Sequence, residues 1–127
     1  MDMPFTVVGG GLAGCEAAWQ LARRGLPVHL FEMRPLATTP AHSTDRLAEV
    51  VCSNSFGADR GRERPSAGGI LKDELALGGS LILECAEACR VPAGGALAVD
   101  RERFSALVTE RITARPEDQL IRQEITS

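Results

Sequence analysis

Tyrosine is absent from this sequence, tryptophan occurs once and phenylalanine four times. With so few rings available, core packing must rest on Leu, Val, Ile and Ala. Histidine is almost as scarce, at two residues, and the four cysteines (Cys15, Cys52, Cys85 and Cys89) contain no CxxC spacing. Cys85 and Cys89 share a helical face at i, i+4, but no second ligand pair accompanies them, so no metal is expected. Basic residues are not in excess: 14 Lys and Arg stand against 17 Asp and Glu, a net charge of −3. That excludes a whole-chain attraction to nucleic acid, and any such role needs a local patch. Arg60, Arg62 and Arg64 make a local cluster among Gly, Ser and Pro, and a solvated loop is its plainer reading. No run approaches the ~20 apolar residues that span a bilayer. The N-terminus also lacks the basic flank and apolar stretch of a signal peptide. A cytoplasmic protein with no membrane partner is therefore expected, and 127 residues suit one domain.

What is present is concentrated near the start, in FTVVGGGLAGCEAAWQLARRGLPVHLFEMRP. Phe5 to Val8 is a short apolar run ended by glycines, which predicts a buried parallel strand. Residues 12–24 have helical spacing, with Leu12, Cys15, Trp19 and Ala22 close to one side. Gly25 ends that helix and Pro27 prevents it from resuming. Residues 28–31 are strand-like again. The result is a β-α-β unit whose two strands are parallel neighbours.

Gly9, Gly11 and Gly14 form GxGxxG at the strand-to-helix turn, where such a unit binds a dinucleotide. The first permits a tight turn, the second lets a pyrophosphate approach the backbone, and the third lets helix and strand pack closely. The run Gly9, Gly10, Gly11, Leu12, Ala13 and Gly14 thus presents the helix start to the phosphates. Glu32 ends the second strand 18 residues after Gly14, placed to accept from ribose hydroxyls and to repel a 2′-phosphate. Arg34, two residues on, either reaches an adenine or phosphate or is a solvated strand-end charge. Ala18, Leu21, Gly25, Val28 and Glu32 extend the glycine pattern in the form used by FAD-binding flavoproteins, so FAD is favoured over NAD.

Further along, residues 44–51 predict a short helix and 52–56 the turn after it. Residues 57–69 read as a polar, mobile run, and 70–90 as a helix interrupted at Gly78-Gly79. Residues 91–100 read as a turn into a short strand. Asp100 is a natural N-cap for a helix over 101–114, which Pro116 closes, and 120–125 alternates like a final strand. The fold class is α/β: an incomplete Rossmann-like FAD/NAD(P)-binding domain over residues 1–127, built from an N-terminal β-α-β unit plus a helical insertion. Too little chain remains to enclose an isoalloxazine ring and build a substrate domain, so an N-terminal portion of a longer enzyme is expected.

Three stretches, GGGLAGCEAAWQLARRGLPVHLFEMRP, TPAHSTDRLAEVVCSNSFG and RVPAGGALAVDRERF, together resemble the N-terminal region of the bacterial folate- and FAD-dependent tRNA (uracil-5-)-methyltransferases. FEMRP and the AEVVCSNS block are the more specific parts. The resemblance implies an enzyme that makes 5-methyluridine in the T loop of tRNA. Methylenetetrahydrofolate is then the carbon donor, NAD(P)H the reductant, and FAD the carrier of electrons and of the one-carbon unit. It also implies that Cys52 is a catalytic cysteine beside the flavin, able to deprotonate uracil C5 or add to the pyrimidine. From the residues alone a small buried core cysteine is the alternative. Ser53, Asn54 and Ser55 are then candidate donors to the thiolate or a carbonyl, and His42 a proton carrier or a solvated loop residue. The family's second catalytic cysteine matches none of Cys15, Cys85 and Cys89. Rival readings are a Gid-type flavoprotein modifying the tRNA wobble uridine, a small-molecule oxidoreductase, and a non-catalytic nucleotide-binding module.

Overall fold

The computed structural model describes residues 3–115 and 118–126. The β-α-β unit is formed by β1 (Phe5–Val8), α1 (Leu12–Ala22) and β2 (Val28–Glu32). β1 and β2 run parallel, with Phe5 opposite Val28 and Val8 opposite Phe31. The last strand, β6 (Gln119–Arg122), adds parallel to the other side of β2, giving the order β1-β2-β6. Val28, Leu30 and Glu32 are buried while His29 and Phe31 are half-buried, the period-2 pattern of a central strand. β1 departs from the buried strand expected of it. Among the described residues it lies at the sheet edge, paired with β2 alone, and Phe5 and Val8 are 47% and 60% exposed.

Between β2 and β6 the chain builds more than helices. β3 (Ser55–Ala58), β4 (Arg90–Val91) and β5 (Ala96–Val99) form an antiparallel sheet in the order β3-β5-β4. The first of these strands falls where a turn and a mobile run were expected. Its short SFGA segment has no alternation long enough to announce a strand, and its pairing partner β5 is far along the chain. The helical part is α2 (Ala67–Leu77), α3 (Leu81–Ala88) and α4 (Arg101–Thr113). The break at Gly78-Gly79 is where it was expected, and Ser80 then caps α3 by accepting from Leu83 N–H at 3.1 Å. Asp100 caps α4 by accepting from Arg103 N–H at 3.0 Å; Pro116 lies outside the described residues.

Residues 44–51 are not a helix. Ala48 sits at φ 52, in the left-handed region that no right-handed helix admits. The core lies where α1, α3 and α4 pack with β2 and β5, around Phe104, Leu30, Leu81, Leu97, Val99 and Val108. Phe56 meets Phe104 edge to face, with centroids 5.4 Å apart. Glu16 of α1 fastens α3: its carboxylate accepts from Ser80 Oγ at 2.7 Å and from the N–H groups of Leu81 and Ile82 at 3.0 Å each. Arg60 leaves the exposed arginine cluster to pair with Glu87 at 2.9 Å.

Candidate functional site

The glycine turn does three separate jobs. Gly9 N–H donates to Phe31 O at 2.8 Å, completing the β1–β2 ladder, and Gly9 then turns at φ +100, which glycine alone adopts freely. Gly14 lets the helix close on that turn, since a Cβ there would sit 1.7 Å from Gly9 O. Gly11 is the N-cap of α1, and no side chain caps the helix. A Cβ on Gly11 would meet nothing within 4 Å, so its surroundings are open space. An uncapped helix start leaves N–H donors and the positive end of the helix dipole facing that space. It forms part of a cavity of about 310 Å³ at the C-terminal ends of β1, β2 and β6, lined among others by Gly9, Gly10, Gly11, Glu32, Arg34 and His42. The residues fit the diphosphate and nucleoside part of a dinucleotide: open glycines, unclaimed helix donors and a carboxylate at the strand end.

Glu32 and Arg34 are buried, at 4% and 2% exposure, and are fastened to each other. Glu32 Oε1 accepts from Arg34 N–H at 2.9 Å and from Arg34 Nε at 3.0 Å. Oε2 accepts from Gly10 N–H at 2.9 Å and, over a longer 3.3 Å, from Arg34 Nη2. Burial pushes the Glu32 carboxyl up, but the Arg34 side chain and the Arg34 and Gly10 N–H groups outweigh it and hold it down at about 2. Arg34 is therefore neither a solvated charge nor a free arm. Its Nη1 continues to Glu49 Oε2 at 2.7 Å and to Thr44 O at 3.0 Å. Glu49 Oε1 in turn accepts from Ser43 N–H, Ser43 Oγ and Thr44 N–H at 2.9 to 3.1 Å. Burial again raises this carboxyl, and the Ser43, Thr44 and Arg34 donors outweigh it and lower it.

This chain of contacts delivers the segment carrying Cys52 to the glycine turn. Ala48 N–H donates to Gly10 O at 2.8 Å, so the Gly10 peptide is held from both sides. Leu47 N–H donates to Thr109 Oγ1 at 3.0 Å, and Ser105 Oγ donates to Ala48 O at 3.1 Å, which pins the same turn to α4. Cys52 lies four residues past Ala48, within about 14 Å of it by chain geometry. It is exposed and free, whereas Cys15, Cys85 and Cys89 are buried. The small-core-residue reading of Cys52 is therefore overturned. Burial pushes the Cys15 thiol up to about 12 and the Cys85 thiol to about 11, and raises Cys89 as well, so these three stay protonated at neutral pH.

The neighbours of Cys52 are engaged elsewhere. Asn54 Nδ2 donates to Val99 O at 3.2 Å, and Ser53 Oγ accepts from Ser55 N–H at 3.1 Å, so both shape the entry to β3. His42 stands on the cavity rather than with Cys52, with its Nδ1 2.7 Å from Thr39 Oγ1. Of the residues that join the two halves of the site, Ala48 and Glu49 open the AEVVCSNS block, whereas Ser105 and Thr109 lie in no motif that the sequence singled out. Among the described residues no group of three His, Cys, Asp or Glu could hold a metal ion, and no helix is long and apolar enough to cross a membrane.

Comparison with known proteins follows the same lines. The family model described as glucose inhibited division protein A matches residues 4–127. The chain is 58% identical over 119 residues to a methylenetetrahydrofolate--tRNA-(uracil-5-)-methyltransferase TrmFO of Thermus thermophilus, covering 94% of this chain and 26% of that protein. The TrmFO of Geobacter sulfurreducens is 59% identical over 126 residues, covering 99% of this chain and 28% of the relative. The chain thus spans about a quarter of the length of the curated relatives it matches. Among solved structures, Aquifex aeolicus GidA superimposes with a TM-score of 0.71 at 18% identity, over 99% of this chain and 21% of that one. At that identity the likeness concerns the fold, which is the α/β arrangement with a parallel sheet read from the sequence.

Proposed function

The chain belongs to the glucose inhibited division protein A family, and from that premise we propose that it holds the FAD of a folate-dependent tRNA (uracil-5-)-methyltransferase. The observation that carries the methyl-transfer part is the 58% identity to the Thermus thermophilus enzyme across 94% of the chain. The uncapped start of α1, opening on the cavity, supports the cofactor part. When bound, FAD supplies reducing equivalents drawn from NAD(P)H and relays the one-carbon unit of methylenetetrahydrofolate. The N–H groups at the uncapped start of α1, those of Gly11, Leu12 and Ala13, bind its diphosphate, while Gly9, Gly10 and Gly14 shape the turn that presents them. Glu32 orients Gly10 N–H and accepts one ribose hydroxyl in place of its long contact to Arg34 Nη2. Arg34 keeps the Glu32 carboxylate charged and ties it to Glu49. Cys52, the exposed cysteine, is the group whose sulfur can meet a nucleobase and act on uracil C5 or add to the ring. The partner is then a tRNA T loop, and the compartment the cytoplasm.

The test is direct. A version of the protein as long as its curated relatives, of which this chain spans about a quarter, should purify yellow with flavin absorbance. It should methylate a tRNA transcript with methylenetetrahydrofolate and NAD(P)H, without S-adenosylmethionine. A colourless protein, or one that methylates only with S-adenosylmethionine, sinks this reading.

A further inference from the structure

We propose that His42 is the second ribose-reading side chain of the dinucleotide cavity, paired through Nε2 with one hydroxyl of the adenosine diol. The inference rests on the dinucleotide reading of this site and adds a residue that the glycine fingerprint does not point to. A ribose presents two vicinal hydroxyls, and each needs a partner once it leaves water. Glu32 cannot serve both. An ionised carboxylate has about four acceptor positions, and those of Glu32 already take Arg34 N–H, Arg34 Nε, Gly10 N–H and Arg34 Nη2. Only the last, at 3.3 Å, is long enough to yield readily. Arg34 is no substitute, because its guanidinium is shared between Glu32, Glu49 and Thr44 O.

His42 is the half-buried polar side chain left on the cavity; Gln123 and Glu124 at the end of β6 are exposed. Its backbone N–H donates to Thr39 O at 3.1 Å, and its Nδ1 is 2.7 Å from Thr39 Oγ1. One short turn therefore fixes both the main chain and the ring, and Nε2 is the nitrogen that remains. If Thr39 donates to Nδ1, Nε2 carries the proton and donates; if Nδ1–H donates to Thr39, Nε2 accepts. A hydroxyl is both donor and acceptor, so a ribose hydroxyl satisfies either tautomer. A phosphate oxygen or an adenine ring nitrogen satisfies only the first.

The experiment is calorimetric titration of the flavin-free protein with ADP, 2′-deoxy-ADP and 3′-deoxy-ADP, in wild type and in His42→Ala. We expect His42→Ala to weaken ADP about tenfold, the size of one hydrogen bond to a neutral group. One of the two deoxy nucleotides should be bound weakly by wild type and lose almost nothing further in His42→Ala, because the partner hydroxyl is already gone. Thr39→Val, which frees the ring, should weaken ADP by roughly threefold and show the same preference between the deoxy nucleotides. Unchanged ADP affinity in His42→Ala overturns the assignment. So does an equal loss on all three nucleotides, which would mean a contact outside the diol or general damage to the loop. A wild-type protein that binds neither ADP nor FAD removes the dinucleotide reading itself, and His42 with it.

Discussion

The two halves of the site are held together by different kinds of bonding. In the β-α-β half, the contacts that matter are made largely by backbone within one unit: Gly9 N–H to Phe31 O, and a helix start that closes only because Gly14 has no side chain. In the other half, residues 43–52 have no regular structure and are held by buried side chains reaching across the chain. Arg34 bridges Glu32 to Glu49, and Ser105 and Thr109 grip the Leu47-Ala48 turn. The glycine turn is set mainly by contacts within the β-α-β unit, with a tie from Ala48 N–H to Gly10 O. An exposed cysteine on an irregular segment needs an ionic brace to stay near it.

Removing the brace should have the largest effect. Arg34→Met strands the buried Glu32 carboxylate and the half-buried Glu49, and should cost about 3 kcal/mol, read from urea denaturation. It should also change the acid limb. Glu32 is held at about 2 in the folded protein, below its ordinary 4.5, so its stabilisation is present above pH 4.5 and is lost as pH falls toward 2. Glu32→Gln should flatten the part of the limb that belongs to this group; an unchanged limb would show that the brace carries no charge.

On the local half, Gly14→Ala and Gly11→Val should separate fold from function. A Cβ at residue 14 collides with Gly9 O, so α1 must shift, at a cost of about 3 kcal/mol. A Cβ at residue 11 meets open space, so the cost should be limited to the poorer N-cap, about 1 kcal/mol, while flavin content drops sharply. Flavin retained in Gly11→Val would take the phosphates away from this turn.

The cysteines give a sharper, non-thermodynamic contrast. In the folded protein one thiol, Cys52, should be alkylated quickly at pH 8, and the three buried thiols only on unfolding. Cys52→Ala should leave the melting curve unchanged and abolish methylation. Fast labelling of Cys15 would contradict its burial. The smallest effect expected is at Ala48, whose φ of 52 strains a residue with a Cβ. Ala48→Gly should stabilise by about 0.5–1 kcal/mol, with flavin content unaltered.

The sequence by itself determined the β-α-β unit, the glycine turn, Glu32 at the strand end, the break at Gly78-Gly79 and the Asp100 cap. Each rests on interactions within a few residues or on one helix or strand period, and such information is written locally. Tertiary structure alone decided the rest. β1 is exposed because, among the described residues, it lies at the sheet edge, and β3 exists because β5, far along the chain, supplies its partner. Residues 44–51 avoid the helix their composition favours because Glu49 is used by Arg34, Ser43 and Thr44, and because Ala48 is needed at Gly10 O. Whether a charged or polar side chain is solvated, as Arg34 was one way of reading it, or locked into a buried network depends on which distant groups arrive beside it. No spacing rule in a single sequence encodes that arrival, since the energy of a buried ion pair is set by the completed geometry around it.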